Sequence, residues 1–474
     1  MKSIHAKTAL LPEGWRNDVV VGLGEDGRIA FVDHASSRSA ITEPGATLND
    51  RTNGPDAQST HQVAVLLPAP ANVHSHAFQR AMAGLTERRG QDPCDSFWTW
   101  RRLMYRFIER LTPEQVEAIA AFVQMEMLEA GYATNVEFHY LHHQSGGDPY
   151  DNLAELSERI VAAALSSGIG MTLLPVHYQF GGCDQRPLVE GQRRFGTNLD
   201  TYTQLWAGAE SAVKQLPGDA HIGVAPHSLR AVARKTLPLL MTIAPEAPFH
   251  MHLAEQIAEV KEIQGAWGAR PVEWLLENVD VTNRWCLIHC TQMQSHETTK
   301  LAETGAVAGL CPITESSLGD GIFDGVRFLG AKGCIGIGSD SNVRISLSEE
   351  LRTLEYSQRL RDHSRAALAT TEYSTGRRLL DAVVRGGAQA AGRDSGQIVA
   401  GQWADLLSLD DEHPDLAGRT GDTIIDSFVF AGDDRMVREV WSAGRHKVTA
   451  GQHVNRETIV RRYRHVMQSL AEAL

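Results

Sequence analysis

The sequence predicts an α/β protein. Its main body is a (β/α)8 TIM barrel over residues 68–389, and residues 1–67 and 390–474 from the two chain ends form a small discontinuous β-sandwich with a C-terminal helix. Three observations carry this expectation. Eight short apolar, β-prone runs alternate with amphipathic stretches, the pattern of parallel strands joined by crossover helices, and eight strands close this kind of barrel. The chain ends instead carry short β-prone runs broken by turn formers. Reactive side chains follow seven of the eight runs, at the strand ends where such a barrel builds its active site.

In chain order, the N-terminal runs Asp18 to Gly22 and Gly27 to Asp33 precede a polar stretch, Leu48 to Gln62. The eight barrel runs are then Ala64 to Leu67, Thr134 to Phe138, Thr172 to Val176, Ile222 to Ala225, Phe249 to Leu253, Cys286 to His289, Ala306 to Leu310 and Cys334 to Gly338. The clearest helix start is Thr112-Pro113-Glu114-Gln115, with Thr at the N-cap, Pro at N1 and Gln at N3. Val116, Ile119, Ala120, Val123 and Met127 keep helical period after it, through about Ala130. The Gly-rich connection Thr314 to Lys332 has the weakest helical pattern. Gly396 to Asp410 and Phe428 to Val448 return to β texture, and Glu457 to Leu474 has helical spacing.

Hydrophobic residues at 42% and charged residues at 22% describe an ordinary globular protein and exclude disorder, collagen and coiled coil. Acidic residues outnumber basic ones, 58 to 45, and the net charge of −13 opposes nucleic-acid or anionic-membrane binding. No apolar run approaches the roughly 18 residues of a membrane span, and no apolar leader core opens the chain. The expected location is therefore cytoplasmic. The six cysteines (94, 183, 286, 290, 311 and 334) are scattered and read as reduced thiols. Cys286 and Cys290 flank His289 but share the strand face opposite to it.

Histidine, at 20 residues, carries the functional reading. The runs are followed in turn by His74-Ser75-His76, His139-Tyr140, His177, His227 with Arg230, His252-Leu253-Ala254-Glu255, His289 and Asp340. His74 and His76, two apart on an extended backbone, project from one face and suit adjacent corners of one metal. His252 adds a third nitrogen and Asp340 an oxygen, an N3O set suited to Zn2+ or Fe2+. His250 shares a face with His252, but His252 is nearer the strand's C-terminal end.

PANVHSHAFQR, HMHLAE, LIHC, GIGSD and GQIVAGQWADLLSLD together resemble the amidohydrolase superfamily. The resemblance implies a barrel of the amidohydrolase type with a β-sandwich. Binuclear members carry a carboxylated Lys after strand four; here IGVAPHSLR offers His227 instead, which resembles the mononuclear deaminase branch. More narrowly, HSHAFQRAMAGL, DSFWTWRRLMYR, NVEFHYLHH and APHSLRAV resemble the formimidoylglutamate deiminase family of histidine degradation. That resemblance implies hydrolysis of N-formimidoyl-L-glutamate to N-formyl-L-glutamate and ammonia, with one Zn2+ per subunit (or Fe2+), a small dicarboxylate substrate and a homodimer.

The residue types fit hydrolysis of an amidine-like carbon. Water needs a metal to bring its pKa from about 15.7 to about 7, and Asp340 is placed to take a proton from it. Glu255 would carry protons to the departing nitrogen, and His289 would orient the water and hydrogen-bond the developing oxyanion. Two substrate carboxylates call for guanidinium forks: the resemblance nominates Arg101 and Arg230, with Gln79, Tyr140 and His227 as further contacts. Arg102 and Arg80 are alternatives to Arg101, and Phe97, Trp98 and Trp100 read as packing for a lid or a dimer contact. The rival activity is a related mononuclear zinc amidohydrolase that deaminates a purine, pterin or other aromatic amidine. It would need a flat apolar slot in place of two arginines. A barrel without catalysis, used for binding, would lack stoichiometric metal.

Overall fold

The computed structural model describes residues 2–34, 60–87 and 97–473. Cys94 and most of the polar stretch after Leu48 therefore lie outside the described residues, as do the side chains of Phe97, Trp98 and Arg102.

Four strands open the chain: β1 (Lys2–Leu11), β2 (Gly14–Leu23), β3 (Ile29–His34) and β4 (Thr60–Pro68). The barrel strands follow as β5 (Ala71–Ser75), β6 (Thr134–His139), β7 (Gly170–His177), β8 (His221–Ile222), β9 (Ala225–Pro226), β10 (Phe249–Leu253), β11 (Trp285–His289), β12 (Val307–Leu310) and β13 (Cys334–Ile337). They pair in parallel in the order β10-β11-β12-β13-β5-β6-β7-β8, and β9 continues the fourth stave beside β7. The ring closes where Val224 pairs with Phe249 and Ser228 with His252. His250 N–H donates to Val224 O at 3.0 Å and His252 N–H to His227 O at 3.1 Å.

One expected strand moves. Ala64 to Leu67 is not the first barrel strand: it lies in β4, which pairs with β1 and with β14 (Leu406–Leu409). The true first stave is Ala-Asn-Val-His-Ser of β5. Its Asn72, His74 and Ser75 are polar although buried, so it lacks the apolar texture by which a strand is recognised, whereas Val65, Leu66 and Leu67 of the neighbouring run are buried and apolar.

The remaining strands are β15 (Val437–Ser442), β16 (Arg445–Thr449) and β17 (Gln452–His453). With β1–β4 and β14 they make one largely antiparallel sheet from both chain ends, ordered β17-β16-β15-β14-β4-β1-β2-β3. Trp441 of β15 packs in the same apolar cluster as Ile4, Val21 and Val63, so the sheet folds over its own core. The start of the expected β stretch from Phe428 is helical instead: Ile424, Ile425, Phe428 and Val429 form the buried stripe of the helix Asp422–Phe430.

The helix Pro113–Glu129 forms with its capping box: Gln115 N–H donates to Thr112 Oγ1 at 3.3 Å and Thr112 N–H to Gln115 Oε1 at 3.1 Å. It docks the C-terminal helix Arg456–Ala473 through stacked Phe122 and Tyr463 rings, 3.9 Å apart. The Gly-rich connection holds two short helices, Pro312–Leu318 and Gly325–Gly330. Helix Thr375–Ala391 lies against β13, and Gly386 permits the contact, because a side-chain carbon there would collide with the Ile335 carbonyl.

Barrel and sheet are joined by a buried ionic network. Arg393 Nε meets Asp405 Oδ2 at 2.6 Å and its Nη2 meets Asp219 Oδ2 at 2.9 Å, while Arg445 Nη1 reaches Asp219 Oδ1 at 2.7 Å. No helix among the described residues is long and apolar enough to cross a membrane.

Candidate active site

The C-terminal rim of the barrel gathers the predicted side chains. β5 ends in His74-Ser75-His76, and β13 runs through Gly338 into Asp340. A Cβ at Gly338 would stand 2.8 Å from His74 N and O, so only glycine lets the two strands come this close. Asp340 N–H donates to His74 O and His76 N–H to Asp340 O, both at 2.9 Å, which clamps the carboxylate beside the histidine pair.

His74 Nε2 and His76 Nε2 are 3.1 Å apart, and Asp340 Oδ1 lies 3.5 Å and 3.3 Å from them. Ligand atoms of His74, His76 and His252 all fall within 4.8 Å of one another. His76 Nδ1 donates to Phe138 O at 2.9 Å and His252 Nδ1 to His227 O at 3.0 Å. A carbonyl only accepts, so in both rings the inward Nε2 presents a lone pair. Burial lowers the pKa of all three imidazoles, which keeps them neutral. Lone pairs and a carboxylate facing one another at this range are a donor set that fits a divalent cation. His250 lies elsewhere, with its Nε2 on Ala390 O at 2.7 Å.

His289 faces this cluster from β11, with Nε2 at 3.8 Å from both Asp340 Oδ2 and Glu255 Oε1. Its Nδ1 is held by Glu315 Oε1 at 3.2 Å. Burial alone would lower its pKa, but the charge of Glu255 and the Glu315 hydrogen bond push it up to about 10. Glu255 is itself buried, and desolvation raises its pKa against the pull of His289 and Arg230. The turn that presents it is pinned by Glu259, whose oxygens accept Ala254 N–H at 3.2 Å and Glu255 N–H at 3.0 Å. Ala254, His289, Cys290, Asp340 and Asn342 all have left-handed backbones, at φ 51°, 71°, 53°, 46° and 54°. Such strain collects where a site must aim side chains against local preference.

Gln79, Arg101, Tyr140, His227 and Arg230 line one pocket with His76, His252, Glu255, His289 and Asp340. His74 lies buried beneath it. Gln79 Nε2 donates to Tyr140 Oη at 2.7 Å, and Arg101 Nη2 to Tyr178 Oη at 2.9 Å. Arg230 Nη2 stops 4.0 Å from Glu255 Oε2, and its buried Nε has no hydrogen-bond partner among the described residues, so this guanidinium still has donors to offer. Trp100 also lines the pocket. Arg80 does not, and forms an ion pair with Glu126 at 2.7 Å.

Two strand-end histidines are corrected. His139 and His177 are buried but absent from the pocket lining, and His177 Nδ1 bonds Thr197 Oγ1 at 2.8 Å. Their successors Tyr140 and Tyr178 line the pocket instead, as alternation along a strand requires. Tyr178 could have been found by that rule. Glu315 could not, because nothing in Cys-Pro-Ile-Thr-Glu distinguishes it from an ordinary first-turn carboxylate.

Comparison with known proteins identifies relatives of the whole chain. The Amidohydrolase family profile matches residues 65–447, and the profile described as Formimidoylglutamate deiminase HutF, N-terminal domain, matches residues 1–46. A formimidoylglutamate deiminase of Pseudomonas aeruginosa is 45% identical over 474 residues, covering 100% of both chains. An 8-oxoguanine deaminase of the same species is 28% identical over 81% of this chain and 80% of its own. Among solved structures, an amidohydrolase from Brucella melitensis has 44% identity and a TM-score of 0.91 over 99% of this chain and 100% of its own. A zinc-bound adenosine deaminase from Xanthomonas campestris, at 19% identity and a TM-score of 0.79 over 99% and 98% of the two chains, shares the fold. The matched profile covers most of the chain, and the chain belongs to the amidohydrolase family.

Proposed function

We propose that this hydrolase of C–N bonds acts on N-formimidoyl-L-glutamate and releases N-formyl-L-glutamate and ammonia. The observation that carries the reading is the end-to-end 45% identity to a formimidoylglutamate deiminase. The pocket adds chemical support, since it sets two arginines beside a His/Asp/Glu cluster.

His74, His76, His252 and Asp340 are the residues that would hold the metal, for which we propose Zn2+, with Fe2+ as the alternative of the same donor set. When bound, such an ion lowers the pKa of water and makes a nucleophile available at neutral pH. The reaction is R–NH–CH=NH + H2O → R–NH–CHO + NH3. Asp340 takes the water's proton at a carboxylate oxygen as the new C–O bond forms. Glu255, with its raised pKa, passes protons to the terminal nitrogen, so the breaking C–N bond releases ammonia rather than an amide anion. The protonated His289 donates Nε2–H toward the oxygen that gains charge, and Glu315 holds its Nδ1–H from behind. Arg101 and Arg230 bind the two carboxylates, while Gln79, Tyr140 and His227 orient the chain between them.

In this reading residues 68–389 are the catalytic unit and residues 1–67 with 390–474 support it, in a cytoplasmic homodimer. The five described cysteines are free thiols, which suits that compartment, and sedimentation would test the dimer. The deciding assay compares ammonia release from N-formimidoyl-L-glutamate, its glycine and aspartate counterparts, and adenine. The glutamate compound is expected to be strongly preferred. Turnover of adenine with none of formimidoylglutamate would replace this reading by the aromatic-amidine one. Metal analysis of the purified protein tests the ion.

A further inference from the structure

On the small sheet, outside the lining of the catalytic pocket, a second set of ligand-type side chains comes together. His61 comes from β4, Glu439 from β15 and His446 from β16, with ligand atoms mutually within 4.8 Å. Glu439 Oε2 is 2.6 Å from His446 Nε2 and 3.5 Å from His61 Nε2. The imidazole centroids are 4.8 Å apart and their planes stand at 72°. Both rings are braced by Trp441, which stacks on His446 at 4.4 Å and meets His61 edge-on at 5.5 Å. The carboxylate is anchored through its other oxygen, where Oε1 accepts Ala450 N–H at 3.1 Å. The carboxylate is 8% exposed and the imidazoles 28% and 39%, so the ligands are held from below and open to solvent above.

We propose that His61, Glu439 and His446 form a second divalent transition-metal site, of the Zn2+ class, which clips the N-terminal half of the folded sheet to its C-terminal half. Two imidazoles and one carboxylate with an open position are a ligand set zinc accepts. Tetrahedral bonds of about 2.0–2.2 Å place ligand atoms roughly 3.3–3.6 Å apart, a spacing that His61 and Glu439 already have at 3.5 Å and that His446, now 2.6 Å from Glu439, reaches by retreating about 0.7–1.0 Å. None of the three residues lines the catalytic pocket.

The test is zinc uptake by the holoenzyme. After equilibration with excess Zn2+ and removal of free ion, the natural protein is expected to carry one zinc per chain more than His61→Asn or Glu439→Gln. Those variants should weaken the added site by at least the about 10- to 100-fold that even outer-shell substitutions cost, with ammonia release unchanged. Titration with Ni2+ should quench the fluorescence of Trp441 in the natural protein and not in Trp441→Phe, His61→Asn or Glu439→Gln. Equal zinc in natural protein and variants overturns the proposal, as does no uptake beyond the barrel's own ion. Unchanged turnover shows that each variant folds, and the uptake by the natural protein stands as a readout without any variant.

Discussion

Glu255 is a buried carboxylate with raised proton affinity, 3.8 Å from His289 and 4.0 Å from Arg230. Glu255→Gln keeps the shape and removes the exchangeable proton, so turnover should fall by about 10²- to 10⁴-fold with bound metal unchanged. Ammonia release measured beside metal content checks both halves, and near-normal turnover would take Glu255 out of the mechanism. Arg230→Ala leaves an anionic substrate group without its partner. A loss of about 2–5 kcal/mol in kcat/KM is expected, again without loss of metal; equal loss of metal would make Arg230 a support of the ion site. At this scale the sequence was informative where chemistry forces a spacing, as in His74-x-His76 and His252-x-x-Glu255. It was silent on Glu315, which acts through His289 from a separate element.

Among elements, the capped helix Pro113–Glu129 was legible because its start signals are local. The first barrel strand was not, because a strand recruited to carry polar ligands loses the apolar signature of a strand, and the adjacent Ala64 to Leu67 run offered a stronger one. Close packing between elements is equally hidden in sequence. Gly386 in helix Thr375–Ala391 admits the Ile335 carbonyl, so Gly386→Ala must push helix and strand apart. A cost of about 1–3 kcal/mol is expected, as for other overpacked contacts, measurable by chemical denaturation. An unchanged denaturation midpoint would mean the backbone yields freely there.

Across the molecule, Asp219 joins Arg393 and Arg445 at the junction of barrel and sheet. Burial would raise its pKa, but Arg445 and Arg393 together bring it below the usual carboxylate value. A depressed folded-state pKa contributes stability above the unfolded value of about 3.9, and that stability drains away as pH falls through the folded value. Asp219→Asn should therefore cost about 3–5 kcal/mol at neutral pH, the range for breaking a buried pair, and should flatten the acid limb of a stability–pH curve. An acid limb identical to that of the natural protein would exclude Asp219 as a contributor. The eight-strand alternation made the barrel legible, but a junction assembled from residues 219, 393, 405 and 445 has no local pattern to read.

The small sheet seats β14 directly against β4, although Leu406 follows Pro68 by 338 positions. At about 5–20 residues per second, a ribosome needs roughly 20–70 s to deliver that partner. Through that interval the Val63 to Leu67 edge stands open to any other strand, a known route to aggregation. Chains ending before residue 406 should thus precipitate or remain chaperone-bound even with every barrel strand already made, and a soluble, compact fragment of that length would show that the edge is shielded in some other way.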